Sequence, residues 1–109
     1  MQEYVNVITN DGLTTIEFFH PAQNSMPGDQ LARLRQAVLE AGEDEKTSVI
    51  VLKSGGDRSF CAGASFTELA SIRDLESSRK FFMGFAGVTN AMRTCGKLVI
   101  GRIHGKAVG

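Results

Sequence analysis

SVIVLKSGGDRSFCAGASF, residues Ser48–Phe66, decides how the rest of the chain reads. Its apolar run, Val49–Leu52, has the character of a buried strand. A flexible turn follows at Ser54-Gly55-Gly56-Asp57, and then the small-residue segment Cys61-Ala62-Gly63-Ala64-Ser65 ahead of Phe66. Small side chains leave backbone N–H groups unshielded, so a ligand carbonyl or phosphate can come within hydrogen-bond distance. An ordinary strand-to-helix loop carries the same glycines, which mark loops more often than sites. From composition alone both readings stand.

Working outward, the strand Ser48–Lys53 is apolar enough to be covered on both faces, which favours helices packed against a mixed or parallel sheet. Upstream, Tyr4–Thr9 and Leu13–Phe19 flank Asn10-Asp11-Gly12 and predict a β-hairpin, with Thr14, Ile16 and Phe18 on one face. His20–Gly28 is a polar loop punctuated by two prolines. Asp29 is expected to cap a helix running through Ala41, with Leu31, Leu34, Val38 and Leu39 as its apolar stripe and Gly42 in the left-handed position that ends it. Glu43–Lys46 reads as a solvated connection.

Downstream, Phe66–Ser71 predicts one or two helical turns, and a longer helix spans Leu75 to Thr94. Phe81, Phe82, Phe85, Val88 and Met92 recur there at helical spacing, as core or subunit interface rather than pocket lining. Gly84 and Gly87 weaken that helix but permit close packing. Gly96 ends it. Leu98–Ile103 then reads as a strand whose Gly101 allows close approach, and His104-Gly105 turns the chain.

At 109 residues the chain is long enough for one small domain. Twelve Lys and Arg balance twelve Asp and Glu, so no basic excess argues for nucleic acid or an anionic membrane. Cys61, Cys95, His20 and His104 are scattered without metal-ligand spacing, and no metal site is expected. Two unpaired thiols fit a reducing cytoplasm. The start lacks a signal-peptide pattern, and nothing approaches the roughly 20 apolar residues of a membrane span, so neither leader nor membrane insertion is expected. The chain stops soon after what reads as a central strand, as a piece of something longer would.

No complete set of catalytic side chains emerges. Glu68 and Glu76 are potential bases, but their spacing pairs neither with a second carboxylate at the loop, and Glu68 reads as an exposed helix residue. His104 reads as structural or solvated, and Cys61 has no histidine tied to it. The backbone carries more. An N–H at Ala64 is suited to bind a carbonyl oxygen as it becomes negative, and the turn His104–Gly109 is the natural source of a second donor. Both segments follow apolar strands, where open α/β proteins commonly hold ligands.

Three segments resemble the enoyl-CoA hydratase/isomerase, or crotonase, superfamily in order and spacing. They are HPAQNSM (His20–Met26), FCAGASFTEL (Phe60–Leu69) and LVIGRIHGKAVG (Leu98–Gly109). The resemblance implies an α/β fold, a crotonase-like spiral of repeated strand–strand–helix units, truncated here. Residues 1–109 would be the N-terminal portion of a single acyl-CoA-binding domain. It implies Ala64 as the catalytic oxyanion donor, and Ala22, Ala62, Ala64, Ser65, Phe66, Val108 and Gly109 along the path of coenzyme A and its thioester. Coenzyme A would be part of the substrate, with no prosthetic group. A cytoplasmic homotrimer or hexamer acting in fatty acid metabolism is implied, hydrating a 2-enoyl-CoA as a lyase. Isomerisation of an enoyl-CoA and non-catalytic acyl-CoA binding are the alternatives. The family's second oxyanion glycine and its glutamates would lie beyond Gly109. Within the chain, Ser65 replaces the usual Asp, His104 the common Asn, and Thr67 a frequent Lys. Phosphate neutralisation would then fall to Arg58 or Lys106.

Overall fold

The structure is a computed structural model that describes residues 2–108. In chain order the strands are β1 (Tyr4–Asn10), β2 (Leu13–Phe19), β3 (Ser25–Met26), β4 (Val49–Ser54), β5 (Ser59–Cys61), β6 (Gly63–Ala64), β7 (Leu98–Gly101) and β8 (Lys106–Ala107). The helices are α1 (Gly28–Glu43), α2 (Phe66–Ala70) and α3 (Leu75–Thr94). The main sheet has the order β1-β2-β4-β7, and two small sheets pair β3 with β6 and β5 with β8.

The hairpin forms as the sequence predicts, with Asn10 opposite Leu13 across a turn in which Asp11 and Gly12 take positive φ. Beyond it, β2, β4 and β7 run parallel. Alternation on β2 sends Thr14, Ile16 and Phe18 to the helix-covered face, and on β4 it sends Ile50, Leu52 and Ser54 there. Leu31, Leu34 and Val38 of α1 fill the same layer, joined by Val88 and Ala91 of α3. Ile16, Val38 and Ile50 are completely buried, and each such side chain contributes about 1.5–3 kcal/mol. Gln30, buried in this apolar layer, donates its Nε2 to the carbonyls of Tyr4 and Phe19, 2.9 Å each, and ties α1 to the hairpin. None of the helices is long and apolar enough to cross a membrane, among the described residues.

Several local expectations are corrected. β4 alternates buried with half-buried positions, so only one of its faces is fully covered here. Asp29 does not cap α1: Pro27 stands at the cap without a side-chain bond, and Asp29 lies in the first turn. The Pro27 carbonyl accepts Leu31 N–H at 3.0 Å, the first bond of the helix. Gly42 does not end α1 in a left-handed turn; it lies inside the helix, and a Cβ there would sit 2.6 Å from the Cys95 carbonyl oxygen. Its glycine is therefore a packing requirement where α1 meets the end of α3. The strand predicted to Ile103 stops at Gly101, whose nearest neighbours would be ordinary contacts at 3.7 Å and beyond. The aromatic stripe of α3 also splits: Phe81 and Val88 are buried, whereas Phe82 is 60% exposed.

Two outcomes test this packing. Gly42→Ala should lower thermal stability: the helix-propensity gain of about 1 kcal/mol is outweighed by forcing a methyl onto a backbone oxygen, an overpacking cost of roughly 1–3 kcal/mol. An unchanged or raised melting temperature would contradict the contact. Tyr4 donates to Glu17, and that bond, then burial, then the carboxylate's charge push its pKa up from 10.0 to about 12. The native state thus holds the phenol's proton more tightly than the unfolded chain does. This contribution is fully present below pH 10 and is lost as pH rises toward 12. Tyr4 is the only tyrosine in the sequence, so tyrosinate absorbance reads it alone. Tyr4→Phe should remove that part of the alkaline stability loss.

Candidate functional site

Parallel neighbours release their following loops at the same end of the sheet. The chain leaving β4 and the chain leaving β7 therefore emerge side by side. They meet as β5 and β8, with Ser59 opposite Lys106 and Cys61 opposite Ala107, and Val108 N–H donates to the Cys61 carbonyl at 2.9 Å. Gly105 (φ +63°) makes this approach possible, since a Cβ there would fall 2.0 Å from the Arg58 carbonyl oxygen.

The opposite wall comes from the loop before α1. Asn24, 3% exposed and itself at φ +60°, accepts from His20 N–H at 2.8 Å. Its Nδ2 donates to the carbonyls of Gly55 (2.9 Å) and Ser59 (2.8 Å). One carboxamide thus fastens the His20–Ser25 loop to the turn after β4. Ser59 adds a bond from its hydroxyl to the Gln23 side-chain oxygen, 3.2 Å. Held this way, β3 pairs with β6, Ser25 with Gly63 and Met26 with Ala64.

That register fixes the direction of one amide. In a parallel pair, the backbone of only one of the two opposed residues makes the bonds. If the Met26–Ala64 pair were bonded through Ala64, its carbonyl would need the N–H of residue 27, and Pro27 has none. The pair is therefore bonded through Met26, and the Ala64 N–H turns to the side of β6 away from β3. Ser65 then caps α2, its hydroxyl accepting from Glu68 N–H at 3.3 Å.

Between these walls lies a cavity of about 530 Å³ lined by His20, Ala22, Gln23, Ser25, Ser59, Ala62, Ala64, Ser65, Phe66, Thr67, Lys106 and Val108. It gathers Ala22, Ala62, Ala64, Ser65, Phe66 and Val108 from three separated stretches of sequence; Gly109 lies outside the described residues. Phe66, 82% exposed, stands at the rim. The two cation candidates part company. Lys106 lines this cavity, whereas Arg58 lines a separate one of about 240 Å³ beside Phe19 and Gly56.

Other sequence candidates fall elsewhere. Glu76 is exposed on α3. Glu68 is not simply an exposed helix residue: it is half-buried, and its carboxylate accepts Gly28 N–H at 2.8 Å. His104 is not part of the lining, and its Nε2 is buried without a hydrogen-bond partner. Burial pushes the Cys61 thiol up, opposed by the N–H of Gly63, which keeps it a thiol at neutral pH. Both cysteines are free, and the described residues contain no cluster suited to a metal. Sequence reasoning missed Gln23, Ser25 and Ser59 as lining, because only the β3–β6 register and the Asn24 bonds bring them there.

Comparison with known proteins bears on the family and the fold. The family profile described as Enoyl-CoA hydratase/isomerase matches residues 8–109. A curated relative from Rhodococcus jostii (strain RHA1), a (7aS)-7a-methyl-1,5-dioxo-2,3,5,6,7,7a-hexahydro-1H-indene-carboxyl-CoA hydrolase, is 30% identical over 99 residues, covering 91% of this chain and 38% of the relative. The short-chain-enoyl-CoA hydratase of Clostridium acetobutylicum is 28% identical over 88 residues, 81% of this chain and 33% of that protein. The crystal structure of an enoyl-CoA hydratase from Mycobacterium smegmatis superposes with a TM-score of 0.84 at 28% identity, covering 93% of this chain and 40% of that one. The chain thus spans about two fifths or less of the length of each.

Asn24→Ala should loosen this site. The Gly55 carbonyl loses its donor, at roughly 1–3 kcal/mol, the Ser59 carbonyl keeps only Ser54 Oγ at 3.4 Å, and alanine is strained at a left-handed φ. A melting temperature within a degree or so of wild type would show that the carboxamide does not hold the walls together.

Proposed function

Because the chain belongs to the enoyl-CoA hydratase/isomerase family, we propose that its cavity binds the thioester end of an acyl-CoA and polarises the carbonyl through the Ala64 N–H. The observation that carries the reading is that Ala64, Ala62, Phe66 and Val108 line one cavity although they come from two distant loops. An amide turned away from its ladder is a donor fixed in advance of the ligand, and such preorganised donors act most strongly where charge develops in the transition state.

For a 2-enoyl-CoA the chemistry is addition of water. The water oxygen bonds to the β-carbon, the C=C electron pair shifts toward the α-carbon and carbonyl, and negative charge gathers on the thioester oxygen beside Ala64. A proton delivered to the α-carbon then restores the C=O, while the water's second proton leaves to a base. Isomerisation uses the same enolate, and hydrolysis of the thioester the same oxygen site, so each shares the role given to Ala64. The whole protein would assemble as a trimer or a pair of trimers, with the exposed Phe82 on α3 as a candidate contact.

A second reading, acyl-CoA binding without turnover by these 109 residues, is favoured by a specific feature: the cavity lining contains no carboxylate among the described residues. Lys106 is the one lysine or arginine in that lining among the described residues and is assigned to the ligand's anionic part.

Calorimetric titration with butyryl-CoA, a saturated thioester, should give binding that weakens several-fold in Lys106→Glu. Ala64→Pro, which removes the amide hydrogen without costing a β3–β6 ladder bond, should erase the preference for butyryl-CoA over free coenzyme A. Crotonyl-CoA should be left essentially unhydrated by the 109-residue chain. Equal affinity for both ligands in the parent chain would remove the thioester role of Ala64, and robust hydration would overturn the reading of these residues as a binding unit.

A further inference from the structure

We infer that Glu68 is a positioning residue of the acyl-CoA cavity, a clasp whose carboxylate closes the short β3–β6 ladder and thereby holds the Ala64 amide in its direction. This rests on the acyl-CoA reading only for the ligand measurement below.

The ladder that aims Ala64 is two residues long on each strand, too short to persist by itself. Its next bond in register would run from Gly28 N–H to the Ser65 carbonyl, but that carbonyl already accepts Leu69 N–H at 2.9 Å. The next donor in the chain is Gly28 N–H, and Glu68 Oε2 takes it at 2.8 Å. Gly28 is suited to this: a Cβ there would lie 2.9 Å from Glu68 Oε1, so the carboxylate sits where a side chain would otherwise be. The carboxylate also supplies what the start of α1 lacks, since Pro27 offers no side-chain cap. A negative group at the first turn of a sixteen-residue helix is favourably placed.

The other end of the same residue is fixed too. Glu68 N–H donates to Ser65 Oγ at 3.3 Å, the bond that starts α2. Met26, Pro27, Gly28, Glu68, Ser65 and Ala64 therefore form a small closed ring, with the ladder on one side and the carboxylate bond on the other. Packing cannot replace it, because α2 buries none of its five side chains. The clasp lies outside the cavity lining, so Glu68 acts on the ligand through Ala64 and Ser65 and not by touching it.

Hydrogen exchange followed by NMR, together with calorimetry using butyryl-CoA, tests this on the full chain and on Glu68→Ala and Glu68→Gln. Glu68→Ala should speed exchange of the Gly28 amide and of the amides across residues 63–69 by about tenfold or more, leaving β1, β2 and β4 unchanged, and should weaken butyryl-CoA by about tenfold. Glu68→Gln keeps an acceptor oxygen and should restore both to within about threefold of wild type. Wild-type exchange across residues 63–69 in Glu68→Ala overturns the clasp, and so does loosening spread evenly through the main sheet. If the wild-type chain binds no butyryl-CoA, the acyl-CoA reading fails, and the exchange pattern alone still decides the clasp.

Discussion

The buried side chain of Asn24 is the constraint on which the site depends. Two successive residues, Gln23 and Asn24, take positive φ, a conformation that asparagine tolerates better than most residues. That reversal aims the Asn24 carboxamide at the carbonyls of Gly55 and Ser59. Both belong to the segment leaving β4, so their separation from Asn24 in sequence is bridged by a single planar group. Apolar packing could not do this at the same place, because carbonyls buried without a donor are costly. The strand β3 follows immediately, and its pairing with β6 inherits its position from this tie.

The chain separates its core from its site along the sheet. Ile16, Ile50, Leu34 and Val38 meet under α1, whereas the cavity lies past the carboxyl ends of β4 and β7 and is lined largely by small or polar side chains. Core burial fixes where those strands end, and the parallel direction fixes that their loops leave together. What the cavity presents to a ligand then depends on local turns and hydrogen bonds. Ser65, where the resemblance implies an Asp, starts α2 by accepting Glu68 N–H. A hydroxyl is enough for that local task, so the departure does not unmake the loop.

Legibility followed the length of the signal. The hairpin and both ends of α3 could be read from the chain, because alternation over seven residues and 3.6-residue periodicity over twenty each repeat several times. β3, β6 and β8 have two residues each and β5 three, which is too short for the two-residue strand alternation to repeat. Their partners are chosen by Asn24 and Gly105, and no local propensity encodes that. The start of α1 was misread because Asp29 resembles a cap by type, but the cap position is Pro27, and the group that takes the Gly28 N–H is the Glu68 carboxylate from far along the chain. Gly42 was misread in the same way: its lack of a side chain serves the contact with Cys95 and not a turn. The small-residue segment at Cys61–Ser65 was legible as a site for the opposite reason, since the chemistry it offers is backbone chemistry and glycine and alanine announce it directly.

The cavity walls are held by polar ties and the core by burial, and the two respond differently to thermal motion. α2 buries no side chain, and both residues of β8 are exposed, so opening of this region breaks a few hydrogen bonds and exposes little apolar surface. Segments of that kind open at a free-energy cost well below that of global unfolding. A ligand that needs Ala64 and Val108 together then binds with an affinity reduced by the fraction of molecules in which the walls are closed. It follows that substitution of a half-buried tie such as Glu68 can change ligand affinity while leaving the melting of the sheet nearly untouched, whereas loss of the deeply buried Asn24 carboxamide weakens both. Substitutions in the core do the reverse until the fold itself is lost.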